Sequence, residues 1–369
     1  MRQHVKRVLK IVVCLTAISV AARAAHAERD IVYSARYYLK PGQKGVSRYH
    51  LYRINADGSR RTQITRGAHD DELPMWAKNG QHIIFVRDAN DLMSSDENGG
   101  HLTKMQDLKG ADWDGLKLSP DGKSIGFIQH VATAKGYVDA LRLLNLGTKK
   151  VSQIADVEYY AWSPDNRYLA LNSAKSGFRV LDLRTRAVRK IVIEKLGRFA
   201  WISPTDFAAT IQKTSTNDDN TSFNLGVESI QIHNLSRAVQ TFKIATTDDE
   251  LLDWRSFVRP IPHANNAFTL VVDESTSSGY EAMYFRVSTI SGRRTRLAEG
   301  QSFAWSPSGN LFAVVSYHDT TPYDTLPNGH KRVVYTTKLQ VGTGEKDLKT
   351  LVSGTVLVRS ADWRRTPKK

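Results

Sequence analysis

The sequence predicts an all-β protein: a β-propeller of seven four-stranded blades, its ring closed by pairing the C-terminal strand with the N-terminal strands. Three observations predict it. A strand–turn–strand unit recurs as Tyr160 to Ser173 (YAWSPDNRYLALNS), Phe303 to Val315 and Leu116 to Ile128, with looser copies at Met75 to Val86, Phe199 to Ile211 and Asp253 to Val272. A bulky apolar anchor marks each unit, at Trp76, Leu118, Trp162, Trp201, Trp254, Trp305 and Trp363, with spacings of 42, 44, 39, 53, 51 and 58 residues. Periods of about 40 to 50 residues with four strands each belong to radial sheets that bury their faces against one another. The ends of the chain also complement each other, because Trp363 lacks a following strand and Ile31 to Ala35 lacks a preceding one. Joining them removes open sheet edges. Six blades result instead if the divergent unit around Trp254 is not a blade.

Within the unit, Tyr160 to Trp162 is apolar and strand-forming, Ser163-Pro164-Asp165-Asn166 is a turn with proline preset for its first corner, and Tyr168 to Leu171 resumes the strand. A second strand pair follows each copy: Leu51 to Thr65, Leu92 to Met105, Leu141 to Ile154, Phe178 to Ile191, Ile230 to Ile244, Met283 to Leu297 and Val333 to Leu351. The repeated tryptophan reads as a wedge between adjacent sheets, since such a side chain buries roughly 150 to 250 Å².

Residues 1–27 carry Arg2, Lys6, Arg7 and Lys10, then the apolar run Ile11 to Ala22, then Ala25-His26-Ala27, the pattern of a secretory signal peptide cleaved after Ala27. The run is too short for a membrane span, and none is expected after cleavage. Cleavage also removes Cys14, the single cysteine, so stability must come from the core. The whole chain has 52 basic and 37 acidic residues, a formal charge of +15. A propeller domain is expected over residues 28–363, with a basic tail over 364–369, and the location is periplasmic or secreted. The positive balance suits anionic envelope components. Nucleic acid is excluded by export and by basic residues that are scattered rather than striped.

In such a blade the turns joining strands one to two and three to four share one face, and here they are short. The connections from strand two to three lie on the other face. Arg36 to Arg48, Gln129 to Asp139, Gln212 to Glu228 and Tyr317 to Arg332 each exceed ten residues there, and insertions confined to one face mark the binding face of a repeat protein. Two of these connections meet across the ring closure. They give a partner-binding set of Arg36, Tyr37, Tyr38, Tyr49, His69, Tyr317, His318, Tyr323 and Arg332, with Lys40, Lys44 and Arg48 nearby. The channel mouth is acidic, with His69, Asp70, Asp71 and Glu72, Asp112 and Asp114, Asp156 and Glu158, and Asp248 to Asp253. Asp70, Asp71 and Glu72 are candidate ligands for a calcium ion, although no calcium-loop spacing is present, and no other cofactor is expected. No catalytic residue is assigned: nucleophile-elbow, zinc-helix, phosphate-loop and dinucleotide motifs are all absent. The chain therefore reads as a binding scaffold, with a secreted lyase or hydrolase of acidic saccharides, centred on His69, as the alternative.

The turns at 119–122 (SPDG), 163–166 (SPDN) and 306–309 (SPSG), with the trailing segments NADGS at 55–59 before QIT and DENGG at 96–100 before LT, resemble the repeat of TolB-type propellers. In that family the propeller binds a peptidoglycan-associated lipoprotein, while a preceding α/β domain and N-terminal segment contact the inner-membrane TolA. The resemblance implies an envelope protein, a peptide or an anionic glycan as partner. The first propeller strand is expected only a few residues after the cleavage site, so the TolA-contacting part is not expected here.

Overall fold

The computed structural model describes residues 30–40, 45–134, 136–216, 222–236, 240–243, 256–264, 266–276, 279–325, 329 and 331–365. These form seven four-stranded antiparallel sheets arranged as a propeller. Blade 1 closes the ring: its inner strand is Val356–Trp363, followed outward by Asp30–Tyr37, Tyr49–Asn55 and Thr62–Gln63. The inner strands of blades 2 to 7 are Asp71–Trp76, Ala111–Leu118, Tyr159–Trp162, Leu196–Trp201, Phe257–Pro260 and Ser302–Trp305. The closing pair runs in register from Ile31 opposite Trp363 to Tyr37 opposite Val356, with a bulge between Ser34 and Ala35. Arg364 then pins the seam. Its backbone N–H donates to the Asp30 carbonyl at 2.8 Å, and its guanidinium meets Asp30 at 2.7 Å and Glu97 of blade 2 at 2.6 Å. This arginine is thus part of the closure and not of a solvated tail.

The repeated turn works through its serine. In blades 3, 4 and 7 the hydroxyls of Ser119, Ser163 and Ser306, all fully buried, accept the backbone N–H of Ser124, Tyr168 and Leu311 at 3.0, 2.8 and 3.1 Å. Ser119 and Ser163 also donate to Asp121 and Asp165, each at 2.6 Å. The fourth residue adopts a positive φ, 66° at Gly122 and 62° at Asn166, which accounts for glycine or asparagine there.

Three of the tryptophans span the gap between blades with their indole N–H, whereas those of Trp76 and Trp162 are buried without a partner. Trp201 donates from Nε1 to the carbonyl of Ala161 at 3.1 Å, Trp363 to that of Ala304 at 2.9 Å, and Trp305 to Oγ1 of Thr269 at 2.8 Å, in each case reaching the preceding blade. The residue before the anchor reaches the other way. Lys117 donates to the Tyr160 carbonyl at 3.2 Å, Arg259 to the Phe303 carbonyl at 3.1 Å, and Asp362 accepts the Trp76 N–H at 2.8 Å.

Two expectations are corrected. The unit around Trp254 is a true blade, but its anchor position is Pro260, paired with Phe268 as Trp305 is with Phe312. Trp254 itself lies outside the described residues. The long connections of blades 3, 5 and 7 are not loops but continuations of their strands. Ser124–Thr133 pairs with Gly136–Asn145, Asp206–Thr216 with Ser222–Asn234, and Phe312–Thr325 with Lys331–Gly342. Blade 6, expected to be short here, does the same with Ala267–Thr276 and Gly279–Ser288. Runs such as TSTN and SYHDTTP are rich in β-branched and aromatic residues that pair across strands as readily as they form loops.

Trp201 and Trp363 are almost fully buried, whereas Trp305 is half-buried. Trp201→Ala and Trp363→Ala are therefore expected to cost about 3 to 5 kcal/mol each, and Trp305→Ala less than either. Urea denaturation midpoints check the ranking, and an unshifted midpoint for Trp201→Ala contradicts the wedge role.

Candidate functional site

A cleft of about 490 Å³ opens between blades 1 and 2 on the face where the inner strands begin, lined by Arg36, Val46, Ser47, Arg48, Tyr49, Asp70, Glu72, Asp88 and Ala89. Strand alternation builds it. Arg36 pairs with Tyr49 in register, so both project toward blade 2, while Tyr37 projects the opposite way. The Arg36 guanidinium lies 5.1 Å from the Tyr49 ring and 5.3 Å from the Tyr38 ring. Its Nε is buried with no hydrogen-bond partner, and no carboxylate among the described residues pairs with it. Burial pushes the Tyr49 phenol above its ordinary value despite the nearby guanidinium of Arg36.

The wall supplied by blade 2 is a row of neutralised carboxylates. Asp70 accepts Arg48 at 2.7 Å and the Tyr49 N–H at 2.8 Å. Asp71, its side chain fully buried, takes a bidentate fork from Arg87 at 2.7 and 3.0 Å. Glu72 accepts Arg359 of the closing strand at 2.8 Å. Burial raises Glu72 above its usual value, and Arg359 only partly offsets this. Asp88, in a turn with positive φ, accepts His69 Nδ1 at 2.5 Å and the Asp70 N–H at 2.9 Å. Burial alone would raise Asp88, but those two hydrogen bonds outweigh it and hold the carboxyl below its ordinary value.

The structure brings Arg36, Tyr38 and Tyr49 together with Asp70, Glu72 and, behind Asp88, His69. It sets Tyr37 apart. That ring packs edge-on against Tyr52 at 5.2 Å, lies under the Arg61 guanidinium at 4.6 Å, and has its hydroxyl 3.4 Å from that of Tyr33, in the core between blades 1 and 7. Burial pushes Tyr52 up to about 12 and Tyr37 upward as well. The two connections do meet across the ring closure: Tyr38 donates its hydroxyl to the Tyr335 carbonyl at 3.0 Å, and Tyr335 packs 6.0 Å from Tyr317. The side chains of His318, Tyr323 and Arg332, and residues 41–44, 248–250 and 253, lie outside those described. Asp70, Asp71 and Glu72 each face a separate arginine, and among the described residues no three acidic or histidine side chains are grouped to hold a metal ion. Asp156 and Glu158 cap the Ser173 to Gly177 turn, through Ser176 and the Ala174 N–H.

Asp88, Arg87 and Arg359 are missing from the sequence expectation. The turn at 88–90 (DAN) is a local signal for Asp88. Arg359 lies 287 positions from Glu72 and is found only once the closing register is known.

This architecture defines the class, a seven-bladed β-propeller, and its organisation is TolB-like. Among solved structures the chain is similar to TolB from Acinetobacter baumannii, with a TM-score of 0.52 and 13% identity over 92% of this chain and 67% of that one. It is also similar to an oligogalacturonate lyase from Vibrio parahaemolyticus, with a TM-score of 0.51 and 11% identity over 78% of this chain and 88% of that one. A manganese complex of an oligogalacturonate lyase matches with a TM-score of 0.50 and 12% identity over 78% and 87%. At such identities the likeness is one of fold. No family model matches the sequence, and no curated protein matches it either.

Two outcomes follow from the row of carboxylates. Asp71→Ala leaves the Arg87 guanidinium unpaired at a buried site and is expected to cost about 3 to 5 kcal/mol in urea denaturation. Asp88 has a lowered folded value, so its stabilisation is present above the ordinary value of 3.8 and is lost as pH falls through the folded one. Asp88→Asn should therefore fall short of wild type at about pH 6, with the gap closing toward about pH 3; parallel curves would contradict the assignment.

Proposed function

We propose that this chain is an exported, periplasmic β-propeller that serves the cell envelope as a binding scaffold, taking a protein or peptide partner on its cleft-bearing face. One observation carries the reading: Arg36 rests against Tyr38 and Tyr49 at the cleft with a buried, unpartnered Nε. Arginine and tyrosine held ready in a recess are the side chains that anchor protein interfaces. The basic, apolar and small-residue pattern of residues 1–27 supports export. The TolB-like architecture supports a periplasmic scaffold, and an envelope protein such as a peptidoglycan-associated lipoprotein is the kind of partner it suggests.

A second reading draws on His69 and Asp88. A carboxylate on Nδ1 fixes the ring and leaves Nε2 to accept a proton, and Arg36 would hold the carboxylate of a uronic acid. Two of the similar structures are oligogalacturonate lyases. That reading makes the chain a lyase or hydrolase of acidic saccharides.

Immobilised wild type and Arg36→Glu, each exposed to envelope extract, test the first reading. One stoichiometric protein partner is expected on the wild type and about tenfold less on the variant. Equal recovery removes the cleft as the contact. Incubation with oligogalacturonate tests the second: unsaturated or new reducing ends formed by wild type and not by His69→Ala would replace the scaffold reading.

A further inference from the structure

We infer that the cleft between blades 1 and 2 reads a single carboxylate, presented by an otherwise uncharged peptide segment, in preference to polyanions. This rests on the scaffold reading and names the chemistry of its ligand. The carboxylate comes either from an aspartate or glutamate side chain or from a chain end.

The argument is a census of charge on the cleft walls. The cations are Arg36 and Arg48, and the anions are Asp70, Glu72 and Asp88. Arg48 is occupied by Asp70 at 2.7 Å, Glu72 is held by Arg359 at 2.8 Å and Asp88 by His69. Arg36 alone among the lining cations has no carboxylate partner among the described residues. Its Nε is shielded from water without an acceptor, so the N–H groups open to an incoming carboxylate are the terminal ones of the guanidinium, which lines the cleft. Two tyrosine rings about one another's distance from the guanidinium, at 5.1 and 5.3 Å, restrict its motion and exclude water. A guanidinium fork matches the two oxygens of one carboxylate.

The same walls offer no second unpaired cation. A phosphate dianion or an oligouronate placed on Arg36 would leave its remaining charge in a recess where Arg48 and Arg359 are already bound to Asp70 and Glu72, and a charge desolvated without a partner is costly. The protein as a whole, at +15 over the full chain, attracts polyanions. Selection for a single charge is therefore local to the cleft and is not set by the overall charge. Val46, 72% exposed on the rim, and Ala89 offer apolar contact to the uncharged flanks of a peptide.

The test follows the Arg36 Nε–H resonance by nuclear magnetic resonance, assigned by its loss in Arg36→Lys, during titration of the full-length mature protein. The probes are acetyl-Gly-Asp-Gly-amide, acetyl-Gly-Gly-Gly with a free carboxyl end, acetyl-Gly-Asn-Gly-amide, inorganic phosphate and trigalacturonate. A saturable shift is expected with at least one of the two monocarboxylates, and which of them acts identifies a side chain or a chain end. The asparagine peptide should give none, and phosphate and trigalacturonate should bind about tenfold more weakly. No saturable shift with either monocarboxylate, or tighter binding of phosphate or trigalacturonate, overturns the inference. If it fails while the wild type still retains a protein partner from envelope extract, the scaffold reading stands. If trigalacturonate binds tightly and no protein is retained, both fall.

Discussion

Burial of one side chain per blade against the neighbouring sheet is the contact on which the ring depends, and at two junctions an indole N–H also crosses to a carbonyl of the blade before it. A propeller blade pairs its strands within itself, so adjacent blades share no ladder hydrogen bonds and are held by side-chain burial alone unless something polar spans the gap. Trp201 and Trp363 do both at once: each buries its rings against the neighbouring sheet and satisfies a carbonyl there. The residue just before the anchor reaches forward in blades 1, 3 and 6, and in blade 1, where Trp363 also reaches back, the inner strand is tied in both directions around the channel. Directional contacts of this kind set the angle between sheets, which nonpolar burial by itself leaves loose.

The scaffold was legible in the sequence because its parts are local. Ser-Pro-Asp-Gly encodes a buried serine, a proline corner and a left-handed fourth residue within four positions, and a tryptophan at a fixed offset marks the wedge. Where the local code lapses, reading fails. Blade 6 carries Pro260 at the anchor position and has no Ser-Pro turn, so the nearest tryptophan, Trp254, takes its place in a count made from sequence. The four extended hairpins were mistaken for loops, or missed in blade 6, because runs rich in threonine and serine carry no apolar alternation to give them a period.

The site was less legible for a different reason. Its residue types were found: Arg36, Tyr38 and Tyr49 do meet, next to Asp70 and Glu72. What sequence could not supply was which side of a strand each one faces relative to its neighbours in other blades, and so Tyr37 was grouped with residues that lie across the sheet from it. Nor could it pair carboxylates with arginines contributed from afar, as Arg359 is to Glu72. Those pairs change the chemistry. A mouth that looks acidic in sequence is, in space, a row of charge pairs in which one guanidinium is left over.

The ring closure carries a consequence for when the site exists. Arg36 and Tyr49 belong to the earliest strands of the propeller, whereas Arg359 and the closing strand that pairs with Arg36 belong to the latest. Every residue that lines the cleft lies between Arg36 and Ala89, but the arginine that holds Glu72 comes 287 positions after it. A chain that ends before the closing strand therefore lacks the partner that neutralises Glu72, so the charge balance of the cleft is set only when the ring has closed.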